Sequence, residues 1–393
     1  MIRRRFGRTE LQIPVFSTGG MRYQQTWDEH EPQLENEGHK NLEATITRSL
    51  ELGFNHIETA RLYGSSEFQL GQALSSFKRE DYILQTKGVP EMDTELFKSN
   101  LEDSFRRLKT DRLDLFGVHG VNLPEHLEKT LRPGGCMEVL KDYQAKGKIG
   151  HIGFSTHGST QLIKQAIQSN AFDYVNLHYY YIKQSHKACI DEATKRDMGV
   201  FIISPSDKGG KLYAPSDKLR ELTAPFSPMV FNDLYCLSHP EIHTLSLGAA
   251  RPSDFDEHCK TFDVLKSNDF SQVHEIKTRL DRAMIDACGE GFLNTWHRNL
   301  PSHEDVPGNI NLEVCIRLWI LAKSFDMIEY GVARYNLMGN ADHWFPGQTI
   351  DPYFLPKVEE RLKGHPLQKV ILKILEEIPS LFAGEEQKRL SQS

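Results

Sequence analysis

Four polar residues with acid–base side chains lie shortly after apolar, strand-like runs of the sequence. They are Glu58, Tyr63, Lys87 and His119. Taken alone, each has a structural explanation: a carboxylate near a threonine belongs to a helix cap, a lysine is usually solvated, and a tyrosine or histidine is usually packed. The combination is more informative than any member.

As a set, these residue types can deliver a proton to an oxygen atom. A nearby ammonium lowers the pKa of a tyrosine from about 10 by favouring the phenolate, and Lys87 would supply that ammonium. A buried lysine keeps its charge only beside a carboxylate, which is the natural task of Glu58. His119 would orient a carbonyl oxygen through a hydrogen bond. The set therefore predicts a general acid, Tyr63, with its supporting groups.

The elements that would position these residues alternate between helices and strands. Helical spacing of apolar residues occurs in segments 41–53, 95–109 and 159–170. Eight β-branched or aromatic runs recur along the chain: IPVFS at 13, FNHI at 54, DYILQT at 81, LDLFGV at 113, HIGFS at 151, YVNLHY at 174, VFIIS at 200 and HTLSLG at 243. This alternation favours parallel βαβ units closed into a (β/α)8 TIM barrel, whose chemistry lies at the carboxyl ends of the strands. A Rossmann sheet is disfavoured because STGGMR, after the first run, lacks the G-x-G-x-x-G pattern.

A change of pattern near residue 265 divides the chain. We predict a barrel over residues 1–268 and a C-terminal helical appendage over 269–393. Within the appendage, residues 312–331 place apolar side chains near one face of a helix: Leu312, Ile316, Trp319, Ile320 and Ile328.

Composition narrows the function classes. Of the 393 residues, 39% are hydrophobic and 26% are charged, as in a typical globular protein. The formal net charge of −7 argues against nucleic acid and anionic membranes as partners, since clustered Lys and Arg hold both. The basic start, MIRRRFGR, is interpreted as a strand edge with outward charges rather than an anion-binding arm. Because the sequence shows neither a membrane span nor a secretion signal, we expect a cytoplasmic protein.

The cysteine and histidine patterns do not indicate a metal site. The six cysteines are scattered without a C-x-x-C pair: Cys136, Cys189, Cys236, Cys259, Cys288 and Cys315. Neither a disulfide framework nor thiolate ligands are predicted. A zinc site formed by His297, His303 and His343 is the alternative, but their spacing matches no common ligand pattern.

Four spaced segments resemble the motifs of the aldo/keto reductases. GFNHIETARLYG resembles that family's G-x-N-x-x-D-T-A-x-x-Y-G signature, QTKG its lysine strand, LDLFGVH its histidine strand and IGHIGFST its G-x-S-N segment. The resemblance extends from GRTELQIP near the start to LGAARPSDFDEHC at residues 247–259. It implies a (β/α)8 barrel that binds NAD(P)H across its carboxyl rim and passes hydride to a carbonyl group.

The resemblance also implies individual roles. Tyr63 would be the general acid, Lys87 would lower its pKa, Glu58 would hold the lysine, and His119 would orient the substrate. The expected cofactor contacts are Gly20, Met21, Ser155, Thr156, Ser204, Pro205, Lys208, Gly209, Gly248, Arg251, Glu257 and His258. Among them, Ser155 and Thr156 would meet the carboxamide, residues 204–209 the pyrophosphate, and residues 248–258 the adenosine ribose. From the residues alone, these last two segments are also consistent with an exposed glycine turn and an ordinary helix start.

Three positions depart from the family pattern. The family carboxylate is Asp where this chain has Glu58, whose extra methylene keeps the charge and extends its reach. Thr156 replaces an Asn and offers a hydroxyl in place of an amide. Asp254 stands where NADPH-dependent members have an Arg, whereas Arg251 could pair with a 2′-phosphate. We expect NADPH as cofactor, with NADH as the alternative.

The C-terminal region resembles the ferredoxin-like appendage of the aldo/keto reductases that bind 4Fe-4S clusters. Cluster binding needs closely grouped cysteines, and only Cys288 and Cys315 lie in this region. We therefore expect no iron–sulfur cluster, and interpret the appendage as a structural cap or a surface for a protein partner.

Two hypotheses follow for the whole chain. The first is an NAD(P)H-dependent oxidoreductase that reduces an aldehyde or ketone. The second is a non-catalytic nicotinamide-binding or redox-sensing module that acts through protein partners. Loops 21–41 and 119–129 would select a small-molecule carbonyl substrate. Tyr23 and Trp27 are candidate pocket residues, and Tyr179–Tyr181 are candidates for either the pocket or the core.

Overall fold

The computed structural model describes residues 1–23, 26–27 and 35–387. They form two compact units, the first comprising Met1–Gly209 and Asn232–Asn268, the second comprising Gly210–Phe231 and the residues from Asp269 onward. Our predicted division also fell after residue 268, but it wrongly assigned residues 210–231 to the barrel. The reason is visible within the second unit, where the Ser216 hydroxyl donates to the Phe325 carbonyl at 2.5 Å.

The first unit contains a closed barrel of eight parallel strands, preceded by an antiparallel hairpin. The hairpin strands are β1 (Arg3–Arg5) and β2 (Gln12–Pro14). The barrel strands are β3 (Phe16–Gly19), β4 (His56–Glu58), β5 (Ile83–Gly88), β6 (Leu113–Val118), β7 (Ile149–Ser155), β8 (Tyr174–Leu177), β9 (Gly199–Ile202) and β10 (Thr244–Leu247). They pair in chain order, and β10 closes the barrel against β3. Each of the eight predicted runs overlaps one barrel strand, so the TIM-barrel prediction is confirmed.

Helices follow the strands as the alternating pattern requires. In chain order they are α1 (Asn36–Glu51), α2 (Ser66–Ala73), α3 (Thr94–Arg107), α4 (Pro124–Leu131), α5 (Cys136–Ala145), α6 (Thr160–Gln168), α7 (Lys187–Lys195), α8 (Asp217–Thr223), α9 (Pro228–Leu237), α10 (Asp256–Cys259) and α11 (Phe262–Ser267). Capping explains two of the starts: Asp93 accepts from the amides of the first turn of α3, and Ser159 does so for α6.

The amino-terminal hairpin contributes the side chain of Phe6 to the hydrophobic core of the barrel. Phe6 is fully buried with Ile13, Leu115, Tyr174 and Phe201. The three arginines preceding it form β1, and Arg5 pairs with Glu10 and Asp197 at 2.6 Å each. The basic start is therefore a strand, as we interpreted it, but Arg5 is the residue that meets carboxylates, whereas Arg4 is partly buried and donates to the Leu237 carbonyl.

The second unit is helical. Its remaining helices are α12 (Ser271–Cys288), α13 (Glu290–Leu293), α14 (Leu312–Phe325), α15 (Ile328–Tyr335), α16 (Leu355–Arg361) and α17 (Gln368–Leu381). The central one, α14, packs against α12, α15 and α17. The single helix expected over residues 312–331 is instead two, because Asp326 adopts a left-handed conformation (φ 54°) that ends α14. Ile328 consequently leaves the predicted apolar face and is 36% exposed. None of the described helices is long and apolar enough to span a membrane.

Candidate active site

Neighbouring strands bring Glu58 and Lys87 together inside the barrel. Glu58 ends β4, Lys87 lies near the end of β5, and the two strands pair in parallel. The Lys87 ammonium donates to the Glu58 carboxylate and, at 2.7 Å, to the Thr59 carbonyl. Both side chains are buried, with exposed fractions of 3% for Glu58 and 2% for Lys87. The predicted carboxylate–lysine pair is therefore present with Glu in place of Asp.

Tyr63 lies beside this ion pair on the loop between β4 and α2. Its ring centroid is 5.2 Å from the Lys87 ammonium nitrogen, within range of a cation–π contact. The loop is fixed by β5, since the Arg61 amide donates to the Lys87 carbonyl at 2.9 Å. Gly64 has φ +52°, and a Cβ there would lie 2.1 Å from the Thr26 carbonyl oxygen. Only glycine fits at this turn.

The electrostatic environment of Tyr63 differs from our expectation. Burial raises the pKa of Tyr63 well above its ordinary value, and the negative charge of Glu58 raises it further. We expected Lys87 to lower this pKa. The direction is opposite because burial of the phenol is the largest cause, and the charge of Glu58 acts in the same direction. In this arrangement the phenol retains its proton at neutral pH.

His119 also contacts the ring of Tyr63. It directly follows β6, and its amide donates to the Gly88 carbonyl at 2.7 Å. The rings of Tyr63 and His119 meet edge to face, with centroids 5.7 Å apart and planes at 85°. The structure thus gathers all four predicted residues at the carboxyl ends of three adjacent strands.

Ser155 and Thr156 lie at the end of β7, and the hydroxyls of both bond to backbone groups of nearby loops. The Ser155 hydroxyl oxygen accepts from the Gly120 amide at 3.1 Å. The Thr156 hydroxyl donates to the Val121 carbonyl at 2.7 Å and accepts from the Gly158 amide at 2.9 Å. Thr156 is fully buried. We therefore reassign its side chain from cofactor contact to fixing the loop after β7.

Asn176 is a candidate site residue that the sequence analysis missed. It pairs in register with Ser155 across β7 and β8. Its amide is fully buried, and neither its nitrogen nor its oxygen has a partner among the described residues. A buried amide without partners is costly unless a ligand or water completes it. The available signal was a single amide inside an otherwise apolar run, YVNLHY.

The loop after β9 is tied to the neighbouring strand ends. Ser204 has φ +53°, and its carbonyl accepts from the Lys208 amide at 3.1 Å. A Cβ on Gly209 would lie 1.9 Å from the Pro205 carbonyl oxygen, so glycine is needed there. The Lys208 ammonium nitrogen lies 3.4 Å from His157 Nε2. This contact draws the lysine towards the loop that follows Ser155.

The loop after β10 carries the remaining charged candidates. Space around Gly248 is open, with the nearest atom 3.6 Å from a built Cβ. Arg251 is exposed and pairs with Asp254 at 3.1 Å, and the other Asp254 oxygen accepts from the Ala250 amide at 2.9 Å. Glu257 pairs with Lys260 at 2.6 Å. Asp254 therefore holds both Arg251 and the loop backbone.

His258 does not belong with this group. Its side chain is buried, and its Nδ1 lies 2.5 Å from the Asp233 carboxylate. Its ring also packs against Phe16, with centroids 5.8 Å apart. This face of α10 points into the core rather than towards the rim, so His258 lies apart from the other residues of its segment, and its cofactor contact stays a prediction.

The loop after β3 contributes Gly20 and Met21. Gly20 is buried, and a Cβ there would lie 2.8 Å from the Glu58 carbonyl oxygen. Tyr23 is also buried; its hydroxyl has no partner among the described residues, and burial and Glu58 raise its pKa. Of the predicted substrate loop 21–41, residues 24–25 and 28–34 lie outside the described residues.

The Tyr179–Tyr181 run belongs to the core, the second of our two interpretations. All three side chains are buried. The Tyr179 hydroxyl lies 3.2 Å from the Tyr235 hydroxyl, and the Tyr180 hydroxyl donates to the Ile203 carbonyl.

The described residues give no support to the zinc alternative. Among them, no group of three or more His, Cys, Asp or Glu side chains could hold a metal ion, and His297, His303 and His343 form no such group. Cys288 and Cys315 are free thiols, one half-buried and one buried.

Parts of this chain match known proteins in sequence. Residues 16–217 match the model of the aldo/keto reductase family. Aldo-keto reductase YhdN of Bacillus subtilis is 33% identical over 130 residues, covering 30% of this chain and 38% of YhdN. The uncharacterized oxidoreductase YqkF of the same organism is 28% identical over 169 residues, covering 40% of this chain and 49% of YqkF. The chain thus spans about half or less of these relatives.

Solved structures share the fold. Aldo-keto reductase AKR11C1 from Bacillus halodurans, in its holo form, superposes with a TM-score of 0.58 at 20% identity, covering 71% of this chain and 96% of that one. An aldo-keto reductase from Klebsiella pneumoniae in complex with NADPH gives a TM-score of 0.54 at 20% identity, covering 67% and 90%. The family match spans just over half of the 393 residues. The chain belongs to the aldo/keto reductase family.

Proposed function

We propose that this protein reduces an aldehyde or ketone to an alcohol with a reduced nicotinamide cofactor. The observation that carries the proposal is the buried Glu58–Lys87 ion pair beside the ring of Tyr63, with His119 edge-on to the same ring. This arrangement places a proton donor close to a fixed positive charge and to a second polar group, at the end of the barrel where such folds carry their chemistry.

Tyr63 is the proposed proton donor. Because burial and Glu58 raise its pKa, it holds its proton until a substrate oxygen gains negative charge. When that proton leaves, the Lys87 ammonium next to the ring stabilises the phenolate, and a proton from solvent later restores the phenol. His119 orients the carbonyl oxygen towards Tyr63.

The residues at the strand ends fit a nicotinamide. A bound reduced nicotinamide would supply the hydride. The unpartnered amide of Asn176 next to Ser155 offers both a donor and an acceptor, which is what a primary carboxamide needs. The turn at Ser204–Gly209 with Lys208 suits a pyrophosphate, and Gly20, Met21, Gly248, Arg251 and Glu257 remain the other proposed contacts.

We propose NADPH as the preferred cofactor, with NADH as the alternative. Arg251 is an exposed cation in the segment proposed to lie against the adenosine ribose. Its pairing with Asp254 reduces the charge available to a 2′-phosphate, so the preference is expected to be modest. The complex of the Klebsiella relative with NADPH supports a nicotinamide cofactor.

The rival hypothesis, a non-catalytic nicotinamide-binding module, has two motives: Glu58 in place of Asp, and a C-terminal region without cluster cysteines. The contact between Glu58 and Lys87 weakens the first motive, because the longer carboxylate reaches the lysine. A protein partner for the C-terminal region remains a prediction.

Transfer of deuterium tests the reaction type. Purified protein is incubated with nicotinamide cofactor deuterated at the transferred position and with a panel of aldehydes and ketones, and the products are analysed by mass spectrometry. The proposal predicts an alcohol with one deuterium on the former carbonyl carbon. Tight cofactor binding without labelled alcohol from any carbonyl would contradict it.

A further inference from the structure

The carboxylate of Glu58 is held at both of its oxygens. One oxygen accepts from the Lys87 ammonium, and the other accepts from the Ser246 hydroxyl at 2.8 Å. Ser246 lies on β10, and β3 separates it from β4, the strand of Glu58. It is 6% exposed. The hydroxyl therefore reaches Glu58 from two strands away, across the inside of the barrel.

Gly19 leaves the space through which this hydrogen bond passes. It lies on the intervening strand β3 and pairs in register with Glu58. A Cβ on Gly19 would lie 2.6 Å from the Ser246 oxygen and 3.1 Å from the Glu58 carboxylate. Its backbone is extended (φ −86°, ψ 126°), a conformation that any residue adopts. The glycine is therefore required by space, not by backbone strain.

A glutamate needs this support more than an aspartate would. Its side chain has one more rotatable bond, so the carboxylate has more positions to choose from, and fixing it costs more conformational entropy. A buried carboxylate oxygen also needs a donor, since an unsatisfied one is costly. The hydrogen bond from Ser246 both restricts the Glu58 side chain and supplies the donor for its second oxygen.

We propose that Ser246 is a positioning residue, which together with the space at Gly19 fixes the longer carboxylate of Glu58 against Lys87. The inference rests on the proposed reductase function, because the positioned lysine acts on the proton donor Tyr63. The Ser246 hydroxyl donates to Glu58, so Ser246 acts on Tyr63 only through Glu58 and Lys87.

The first test compares turnover in a double-mutant cycle. Ser246→Ala is expected to lower kcat roughly tenfold, the effect of losing one hydrogen bond to a charged group. In a Glu58→Asp background the same substitution is expected to change kcat less than about twofold, because the shorter carboxylate no longer reaches the serine. Equal losses in both backgrounds, or no loss in either, would overturn the proposal.

Two further variants separate positioning from stability. Thr244→Val removes a buried hydroxyl from the same strand, one that bonds to Ser17 at 2.6 Å, and serves as the matched control. It is expected to lower stability without changing the pH dependence of kcat. Ser246→Ala should move the alkaline limb of that profile to lower pH, since the less fully offset charge of Lys87 lowers the pKa of Tyr63. Ser246→Thr, which keeps the hydroxyl, should restore the profile.

A final measurement does not depend on turnover. In protein labelled with carboxyl-¹³C glutamate, the Glu58 resonance is identified by its loss in Glu58→Gln. Ser246→Ala should shift this resonance and Thr244→Val should not. An unshifted resonance overturns the Ser246 contact even if the enzyme is active. A shifted resonance in a protein without turnover supports the contact and contradicts the reductase function.

Discussion

The ring of His119 meets the ring of Tyr63 edge to face, at 85° and a centroid separation of 5.7 Å. Each residue is fixed through its backbone to the neighbouring strand β5: the His119 amide donates to Gly88, and the tyrosine loop is bound to Lys87 through the Arg61 amide. The relative position of the two side chains is therefore set by β5.

This relationship predicts the effect of replacing His119. If His119 orients the carbonyl oxygen, His119→Ala should lower kcat/KM for the carbonyl by roughly 10²-fold, the loss typical of one donor in a preorganised site. Cofactor affinity, measured by quenching of protein fluorescence, should not change. The control is His151→Ala, because His151 lies near the amino-terminal end of β7, away from the rim. An equal loss of kcat/KM in this control would contradict the role assigned to His119.

Acidification is predicted to destabilise the barrel through its buried histidines. Burial lowers the pKa of His56 to about 3 and that of His243 to about 4, with Lys87 and Arg4 adding to the respective shifts. An unfolded histidine has a pKa of about 6.5. Below that pH the unfolded chain binds protons that the folded chain does not, so the free energy of unfolding falls as the pH drops through this window.

The size of this effect is measurable by urea unfolding. Between about pH 7.5 and about pH 5, His56 alone should account for roughly 2 kcal/mol of lost stability. His56→Gln keeps a side chain able to bond to Ser17 and Gln85, and should flatten the pH dependence by that amount. If the free energy of unfolding of the variant fell as steeply with decreasing pH, buried His56 would not be the source of the effect.

Cofactor preference should respond to Asp254. This carboxylate pairs with Arg251 at 3.1 Å and would oppose a 2′-phosphate. Asp254→Asn is expected to raise affinity for NADPH relative to NADH several-fold, because one repulsion is removed and Arg251 is released. Titration of both cofactors measures the ratio. Asp256→Asn, in the same segment but paired with Arg48 at 3.4 Å, should leave it unchanged. Parallel changes for both cofactors would contradict the assignment.

The sequence predicted those parts of the protein that depend on local pattern. Each barrel strand was visible as an apolar run, and residues directly after such runs, such as Lys87 and His119, necessarily meet at the carboxyl rim. The sequence did not predict contacts between residues that only the closure of the barrel brings together. Ser246 and Gly19 contact Glu58 only because β3 lies beside β4 and β10 closes the barrel against β3, and no spacing along the chain shows this contact.

The differences between expectation and structure have equally specific causes. His258 was assigned to the rim because its segment follows the last strand, whereas the helix turns that side chain towards Asp233 in the core. Thr156 was assigned to the cofactor by its place in a motif, but its hydroxyl donates to the Val121 carbonyl. The direction of the Tyr63 pKa differs because the sequence shows a lysine nearby without showing how deeply the phenol is buried, and burial is the largest cause of the raised pKa.

The most direct test of the account is the rate of carbonyl reduction by Tyr63→Phe compared with the natural protein, with Tyr82→Phe as a buried-tyrosine control. Oxidation of NADPH and NADH is followed with saturating cofactor, and cofactor affinity is measured in parallel. If Tyr63 donates the proton, its variant should bind cofactor normally and lose roughly 10²- to 10⁴-fold in kcat, while the control retains full activity. Equal turnover by Tyr63→Phe and the natural protein would contradict the central claim.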